Sequence, residues 1–412
     1  MAFSRQRELI QTQEAIWKQQ LRRIRQRKRN LVQQNTTNPF QPTGPEDFDA
    51  PPELKTYEAE EEGPLESDLK HGTIFVSVPS YRDPECPKTV ADIFEKASFP
   101  GRVFVGVCQQ NEPEDIDCAK SATAQRFLPN MRIMRLHASE ARGPVYARAL
   151  IEQHLFKNED YYCTVDSHTL FIPGWDVEAI TQLAQCPSDK PVLTCYPPDY
   201  DIHTRQLPVE QPPVFLKFRD YHPRLGFSQQ DPARFRHVPP IPQPSLLWGG
   251  GFSFTLGSVV TEVPFDINLQ YVFLGEEITM AVRLYTQGYD TFAPRRNIVY
   301  HYTPRKTATG ELRPTFWEQF YKKDGKCKVS SEVREERKKI EMQGNRRMTD
   351  LLNGKPVEAP YGLGTVRTLA QFEDFAGLHF ADRTHRRHAK LGLTFQASDE
   401  EKYYKYGMET FS

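Results

Sequence analysis

The sequence predicts an α/β fold, with a mostly parallel central sheet and helices on both faces. Three observations carry that expectation. Short runs rich in Val, Ile and aromatic residues alternate with stretches of helical apolar spacing across residues 73–171, the pattern of strand–helix–strand units. Two of these runs end in polar clusters, Ser80-Tyr81-Arg82-Asp83 and Asp166-Ser167-His168, and the carboxyl ends of strands are where such sheets bind ligands. No stretch approaches the ~20 apolar residues that span a bilayer.

Each element has its own justification. TIFVSVPSYRD (73–83) is an apolar strand running into a polar loop. CPKTVADIFEKA (86–97) follows with Val90, Ile93 and Phe94 at helical spacing. RVFVGVCQQ (102–110) and MRIMRL (131–136) are the second and third strands, and ARGPVYARALIEQHLF (141–156) a helix through Val145, Ala149, Leu150 and Leu155. Tyr161 to Val165 is aromatic and β-branched, a short buried strand ending at Asp166. Residues 197–244 hold eleven prolines and little periodicity, which predicts a folded-over loop bordering the site. Order resumes at SLLWGGGFSFT (245–255). In FLGEEITMAVRLYTQGYDTFAP (273–294), Ile278, Val282 and Tyr285 share a helical face and Gly288 is a stop. NIVYHYTPR (297–305) is strand-like as far as His301. Ten Lys/Arg and six Asp/Glu over 317–347 predict charged surface helices.

Composition bounds the partners. The chain has 412 residues and a formal net charge of −1, so no nucleic acid is expected. Seven cysteines without a C-x-x-C pair predict reduced thiols rather than a disulfide framework. With no secretory apolar core at the N-terminus, a soluble cytoplasmic protein without a membrane span is expected. Residues 1–34 carry nine Lys/Arg against two Asp/Glu, with Ile10, Trp17, Ile24 and Leu31 every seven residues. They read as a basic helical arm that docks on the domain or self-associates into a homodimer. Residues 35–71 are acidic and proline-rich, with ten Asp/Glu between Glu46 and Asp68, and read as a linker. The folded domain is expected over 72–380 and a tail over 381–412.

The chemical question is why an apolar run should stop at Asp166-Ser167-His168 and resume at Leu170 and Phe171. Side chains two apart on a strand point the same way. A carboxylate and an imidazole on one side suit a divalent metal. The competing reading is a turn, in which Asp166 bonds nearby amides and His168 merely packs. Glu276 and Glu277 open a helix, where acids also complement the dipole.

Taken in order, FVSVPSYRD, ARGPVYAR, DSHTLFIPGWD, WGGGFSF, GEEITMAVRLYTQGYD and YGLGTVRTL resemble the polypeptide-modifying GT-A glycosyltransferases, and among them glycosyltransferase family 60. The resemblance runs from about Gly72 to Phe380. It implies a GT-A-type nucleotide-sugar-binding fold, UDP-GlcNAc as donor and Mn2+ or another divalent cation as cofactor. It implies retaining transfer of N-acetylglucosamine to a protein hydroxyl, the hydroxyproline of an SCF ubiquitin-ligase adaptor. A divalent ion would neutralise the charge growing on the leaving diphosphate.

The resemblance also implies roles for residues. His301 becomes the third metal ligand with Asp166 and His168; alone, beside Tyr300 and Tyr302, it would read as a core histidine. Ser80, Arg82, Asp83, Arg142, Arg148, Asp166, Ser167, Gly249 and Gly250 would hold the donor, with Cys108 and Gln109 near its base. Arg82 and Asp83 would meet uridine and ribose, or else form a salt bridge or turn cap. Arg142 and Arg148 flank the donor-recognition stretch, and arginine clamps phosphate or ribose oxygens in pairs. Glu276, Glu277 and Trp248 form the expected catalytic group, the glutamates facing the acceptor and the reacting carbon. The glycines after Trp248 would let backbone approach the sugar. Mucin-type relatives carry Glu where Gly251 stands, which leaves open which acid faces the anomeric carbon. Another donor sugar, a Ser/Thr acceptor and an inactive scaffold are the remaining readings, and front-face and double-displacement routes are not separated.

Overall fold

Ile74, Phe75 and Val76 are fully buried in succession, as happens in a strand covered on both faces rather than one. They begin β1 (Ile74–Tyr81) in a computed structural model that describes residues 72–208, 211–235, 238–320, 329–392 and 408–409. The arm at 1–34, the linker at 35–71 and the arm-mediated dimer lie outside the described residues. After β1 come α1 (Cys86–Glu95), β2 (Val103–Asn111), β3 (Met131–His137), α2 (Pro144–His154), β4 (Tyr161–Val165), β5 (Thr169–Phe171) and α3 (Trp175–Gln185). β6 (Pro191–Thr194), β7 (Val214–Tyr221), β8 (Ser228–Phe235), β9 (Gln243–Pro244) and β10 (Phe252–Leu256) follow. α4 (Glu276–Thr286), β11 (Asp290–Ala293), β12 (Val299–His301), α5 (Ser331–Leu352) and α6 (Leu369–Ala376) complete the main elements.

The central sheet has the order β3-β2-β1-β4-β10-β6-β11-β9. β1 runs parallel to both β2 and β4, β2 to β3, and β6 to β11. β10 is antiparallel to both its neighbours. The mainly parallel α/β sheet expected from the sequence is therefore the fold observed. Winding reverses between β1 and β4, and a crevice opens at their carboxyl ends. Asp83 lies just beyond β1 and Asp166 just beyond β4. A separate ladder pairs β12 with β5, matching His301 to Thr169, and so brings His301 beside the Asp166 turn.

Two expectations are corrected. Residues 197–244 contain a hairpin, β7 paired with β8, with a bulge at Phe218/Asp220. Its second strand, SQQDPARF, buries only Ala233 and Phe235 and places Pro232 in the ladder, a residue that argues against a strand when read alone. Residues 408–409 pair with this strand at Arg234 and Phe235. Among the described residues, the charged stretch near 317–347 holds a short 3-10 helix at Phe316–Phe320 and the long helix α5. Cys86 and Cys118 form a disulfide with Cα atoms 5.3 Å apart, while Cys108, Cys163 and Cys195 are free and buried. A separation of 32 residues gives no spacing cue. The pair meets only because the turn after β1 lies against the loop after β2.

Packed structure also continues past Phe380. Thr384–His385 pairs with Leu378–His379, and the His385 ring lies 5.0 Å from Phe218. Among the described residues, no helix is long and apolar enough to cross a membrane.

One buried charge fixes the helical layer beside the site. The Asp176 carboxylate, fully buried at the start of α3, accepts from Arg102 Nη2 at 2.9 Å. It also accepts from the amides of Ser98 and Phe99 at 2.7 and 3.1 Å. Removing one partner of a buried pair leaves the other charge uncompensated, so Asp176→Ala should cost about 3–5 kcal/mol, read as a lower urea midpoint.

Candidate active site

The turn after β4 is built by its own residues and pinned from α1. Thr169 Oγ1 donates to the Asp166 carbonyl at 2.8 Å, and Thr89 Oγ1 donates to the carbonyls of Ser167 and Thr169 at 2.9 and 3.0 Å. The segment is thus a turn, but the Asp166 carboxylate reaches Arg148 and His301 rather than nearby amides, and His168 is bonded to Asp83 rather than merely packed. Asp166, His168 and His301 each offer a ligand atom, and those atoms lie within 4.8 Å of one another.

The outer contacts of these residues fit a divalent ion. His168 Nδ1 lies 2.7 Å from Asp83 Oδ2, and His301 Nδ1 lies 3.2 Å from Thr303 Oγ1. Each imidazole is thus anchored through one nitrogen and leaves Nε2 as the ligand, the arrangement that orients metal-binding histidines. Burial lowers the His168 imidazole by more than Asp83 raises it, which keeps it neutral, as a ligand must be. Burial opposes charge on Asp166, yet the His301 bond and Arg148 hold its carboxyl well below the usual range. One carboxylate oxygen with two imidazole nitrogens is a donor set that manganese accepts.

Arg148, buried on α2, joins this centre to the acids of α4. Its Nη2 donates to Asp166 Oδ1 at 2.9 Å and to the Gly250 carbonyl at 3.1 Å, and its Nη1 to Glu276 Oε1 at 3.3 Å. A Cβ on Gly250 would stand 3.2 Å from that Nη1, so glycine lets the loop close over the guanidinium. Burial raises the Glu276 carboxyl, against the pull of Arg148. Glu277 accepts from the Tyr196 hydroxyl and, at 3.3 Å, from the Gly250 amide. Burial, opposed by Tyr196 and reinforced by Glu276, pushes its carboxyl up to about 7. Gln230 Nε2 donates to the Tyr196 oxygen at 3.0 Å and to the Trp248 carbonyl at 2.8 Å.

A cleft of about 650 Å³ opens over this assembly. Asp166, His301, Arg148, Gly250, Gly251, Glu276 and Glu277 line one part of it, and β7 and β8 form the opposite wall.

Other residues expected at the site sit elsewhere. Trp248 is buried in the core and donates from Nε1 to Ser253 Oγ at 3.0 Å. Arg82, at φ 49°, turns away to Asp115 at 2.7 Å. Asp83 faces inward: Ser167 Oγ donates to it at 2.6 Å, and His168 and Arg313 hold its carboxyl well below the usual range despite burial. Ser80 is buried and its carbonyl accepts from Gln110. Arg142 donates to Gln270 at 2.8 Å, apart from the Arg148 cluster. Gly249 packs so closely that a Cβ would stand 2.9 Å from the Tyr196 ring. Cys108 and Gln109 are buried, and Gln109 bonds Asp117 and the Cys118 amide. Sequence reasoning missed Gln230, Thr303 and Arg313. Arg313 lies 3.4 Å from Asp83, and nothing in its local pattern marks it.

Two measurements check this geometry. Asp83→Asn, which weakens the anchor of His168, should lower manganese affinity about 10–100-fold in calorimetric titration. Glu277 in the folded chain keeps a proton that the unfolded chain releases from its ordinary value of 4.5 up to about 7. Its contribution to stability is therefore lost as pH rises through that window. Glu277→Gln carries no such loss, so its Tm should rise relative to wild type between about pH 5 and about pH 8. A constant difference would show that the carboxyl is not held protonated.

The family model described as Glycosyltransferase (GlcNAc) matches residues 73–127 and 119–382. Comparison with curated proteins returns no match. Similar solved structures include GalNAc-T7 with UDP, GalNAc and Mn2+, at 12% identity over 73% of this chain and 54% of that one, with a TM-score of 0.43. S. aureus TarS 1–349 in complex with UDP-GlcNAc is similar at 12% identity over 69% of this chain and 68% of that one, TM-score 0.36. The mannosyltransferase PcManGT from Pyrobaculum calidifontis, in complex with GDP-Man and Mn2+, is similar at 15% identity over 59% and 60%, TM-score 0.36. The chain thus spans about half the length of the first of these, 54%. The family match, in contrast, runs through β1, the Asp166 turn, the Arg148 helix, the acids of α4 and His301, and covers well over half of the residues. On that match the chain belongs to the Glycosyltransferase (GlcNAc) family.

Proposed function

We propose that the protein is a metal-dependent, retaining N-acetylglucosaminyltransferase that moves the sugar from UDP-GlcNAc to a protein hydroxyl. The proposed acceptor is the hydroxyproline of an SCF ubiquitin-ligase adaptor in the cytoplasm. One observation carries the reading: three ligand atoms within 4.8 Å of one another stand beside a cleft that also holds Glu276 and Glu277.

Asp166, His168 and His301 would hold the cation, Mn2+ by choice of donor atoms. The bound cation would offset charge developing on the leaving diphosphate. Arg148 keeps Asp166 ionised and aimed. Gly251 leaves space beside it, since a Cβ there would lie 3.8 Å from Asp166 Oδ2. Glu277, in the cleft and protonated near neutrality, can donate to or accept from a sugar or acceptor hydroxyl. Support for a ring-bearing acceptor comes from Phe273, 64% exposed at the cleft and edge-on to Trp317 at 5.8 Å. An exposed aromatic face can cover a pyrrolidine or a sugar.

The first test is UDP release from UDP-GlcNAc in manganese. Chelation and Asp166→Ala should each abolish it without unfolding the protein, and full activity in chelator would refute the metal centre. The second compares matched acceptors bearing hydroxyproline, proline, serine or threonine. Proline should give no product. Serine and threonine should run about 100-fold slower, because small misplacements of a reacting hydroxyl cost that much. Equal rates for threonine and hydroxyproline would replace the acceptor assignment with a Ser/Thr one.

A further inference from the structure

The Tyr196 hydroxyl stands between the hairpin wall of the cleft and the acids of α4, and it can send its proton only one way. Its ring packs against the core, and a Cβ on Gly249 would stand 2.9 Å from it. The oxygen is therefore fixed, and only the hydrogen has a choice of partner. Among the described residues that oxygen has two partners, Glu277 Oε2 and Gln230 Nε2, the second at 3.0 Å.

The Gln230 amide decides between them. Its Nε2 also donates to the Trp248 carbonyl at 2.8 Å. A carbonyl only accepts, so the amide nitrogen rather than Oε1 must face it. Both Nε2 hydrogens are then engaged, one on Trp248 and one on the Tyr196 oxygen. Tyr196 must give its own hydrogen to Glu277 Oε2. Glu277 Oε1 meanwhile accepts from the Gly250 amide at 3.3 Å, which leaves it a second lone pair. Gln230, Tyr196 and Glu277 all line the cleft.

Glu276 on the same helix and Arg148 from α2 are the charged groups that bear on Glu277, and β8 meets Tyr196 with a neutral amide. Burial pushes the Glu277 carboxyl up, and the Tyr196 bond pulls it back. We infer that Gln230 is a positioning residue of the transfer reaction: it compels Tyr196 to donate to Glu277 Oε2 and leaves Oε1 as the atom that exchanges a proton with bound substrate. The inference rests on the glycosyltransferase reading above and deepens it. Without Gln230, a protonated Glu277 can donate to the Tyr196 oxygen instead. That bond favours the neutral carboxyl and turns its proton away from the substrate.

The experiment uses the full chain. Gln230→Met keeps the length of the side chain and removes both donors, and Tyr196→Phe removes the hydroxyl. Wild type and each variant are paired with a partner that also carries Glu277→Gln, and Tm is followed from about pH 5 to about pH 9. In wild type the advantage of the Glu277→Gln partner grows with pH and levels off above the folded carboxyl's value of about 7. In Gln230→Met and in Tyr196→Phe it should level off about one pH unit higher, the effect of one hydrogen bond to a charged group. Gln230→Met combined with Tyr196→Phe should match Tyr196→Phe alone, because Gln230 acts through the hydroxyl. The kcat profile for UDP release from UDP-GlcNAc in manganese should move alkaline by a similar amount. A merely structural loss would lower kcat equally at every pH. If Gln230→Met does not fold, Gln230→Leu serves in its place. A levelling point unmoved by the Gln230 variant overturns the inference, as does a combined variant that shifts further than Tyr196→Phe. A moved levelling point with an unmoved kcat profile overturns the positioning role and leaves the donor reading standing. Wild type that releases no UDP means that the glycosyltransferase reading fails and this inference falls with it.

Discussion

Everything at this site depends on one buried cation. The Arg148 guanidinium ties the end of β4 through Asp166, the start of α4 through Glu276 and the glycine loop through the Gly250 carbonyl. Three segments far apart in the chain are thus positioned by a single planar group, whose fixed fork of donors allows little else. Burying such a triad is costly, and its worth lies more in specifying geometry than in net stability. The helix that carries it starts where a glycine and a proline dictate: Gly143 at φ 101° precedes Pro144, whose missing N–H suits a first helical position.

Outside the three candidate ligands, the structure supplies a second layer that the chemistry needs as much. Asp83 and Thr303 fix the two imidazoles by their remote nitrogens, and Arg313 and Ser167 in turn hold Asp83. This layer spans β1, the Asp166 turn and the segment after β12. The same logic runs through the acid side, where Gln230 holds Tyr196 and Tyr196 holds Glu277. Rigid supports of this kind let a side chain meet its ligand without reorganising first.

What could be read from the chain divides along local and non-local lines. The strands around β1, the helices α1, α2 and α4 and the Asp166–His168 pair follow from patterns within about ten residues, because burial imposes a period on each element. His301 was legible only through family resemblance, since it reaches the site by pairing β12 with β5, and register between distant strands leaves no trace in either. The β7–β8 hairpin was hidden because its second strand buries only two side chains and contains Pro232. Arg82 and Trp248 sit within motifs of the right kind, yet Arg82 turns to Asp115 and Trp248 packs into the core. Motif membership does not reveal which way a side chain faces. Arg313 and Gln230 had no signal at all, being ordinary polar residues made important by their neighbours.

The reversed direction of β10 sets a limit on how this protein can vary. Phe252 pairs with Val165, so Gly251, just before one strand, stands against Asp166, just after the other. A single inserted or deleted residue in either strand would turn every following side chain to the opposite face. Such a change would carry Asp166 or the glycine turn out of the cleft in one step. Diversification of this side of the cleft must therefore proceed by exchanging residues at constant length. The turn between β7 and β8 is under no such ladder, and length changes there can reshape the hairpin wall of the cleft while Asp166 and Gly251 stay in register.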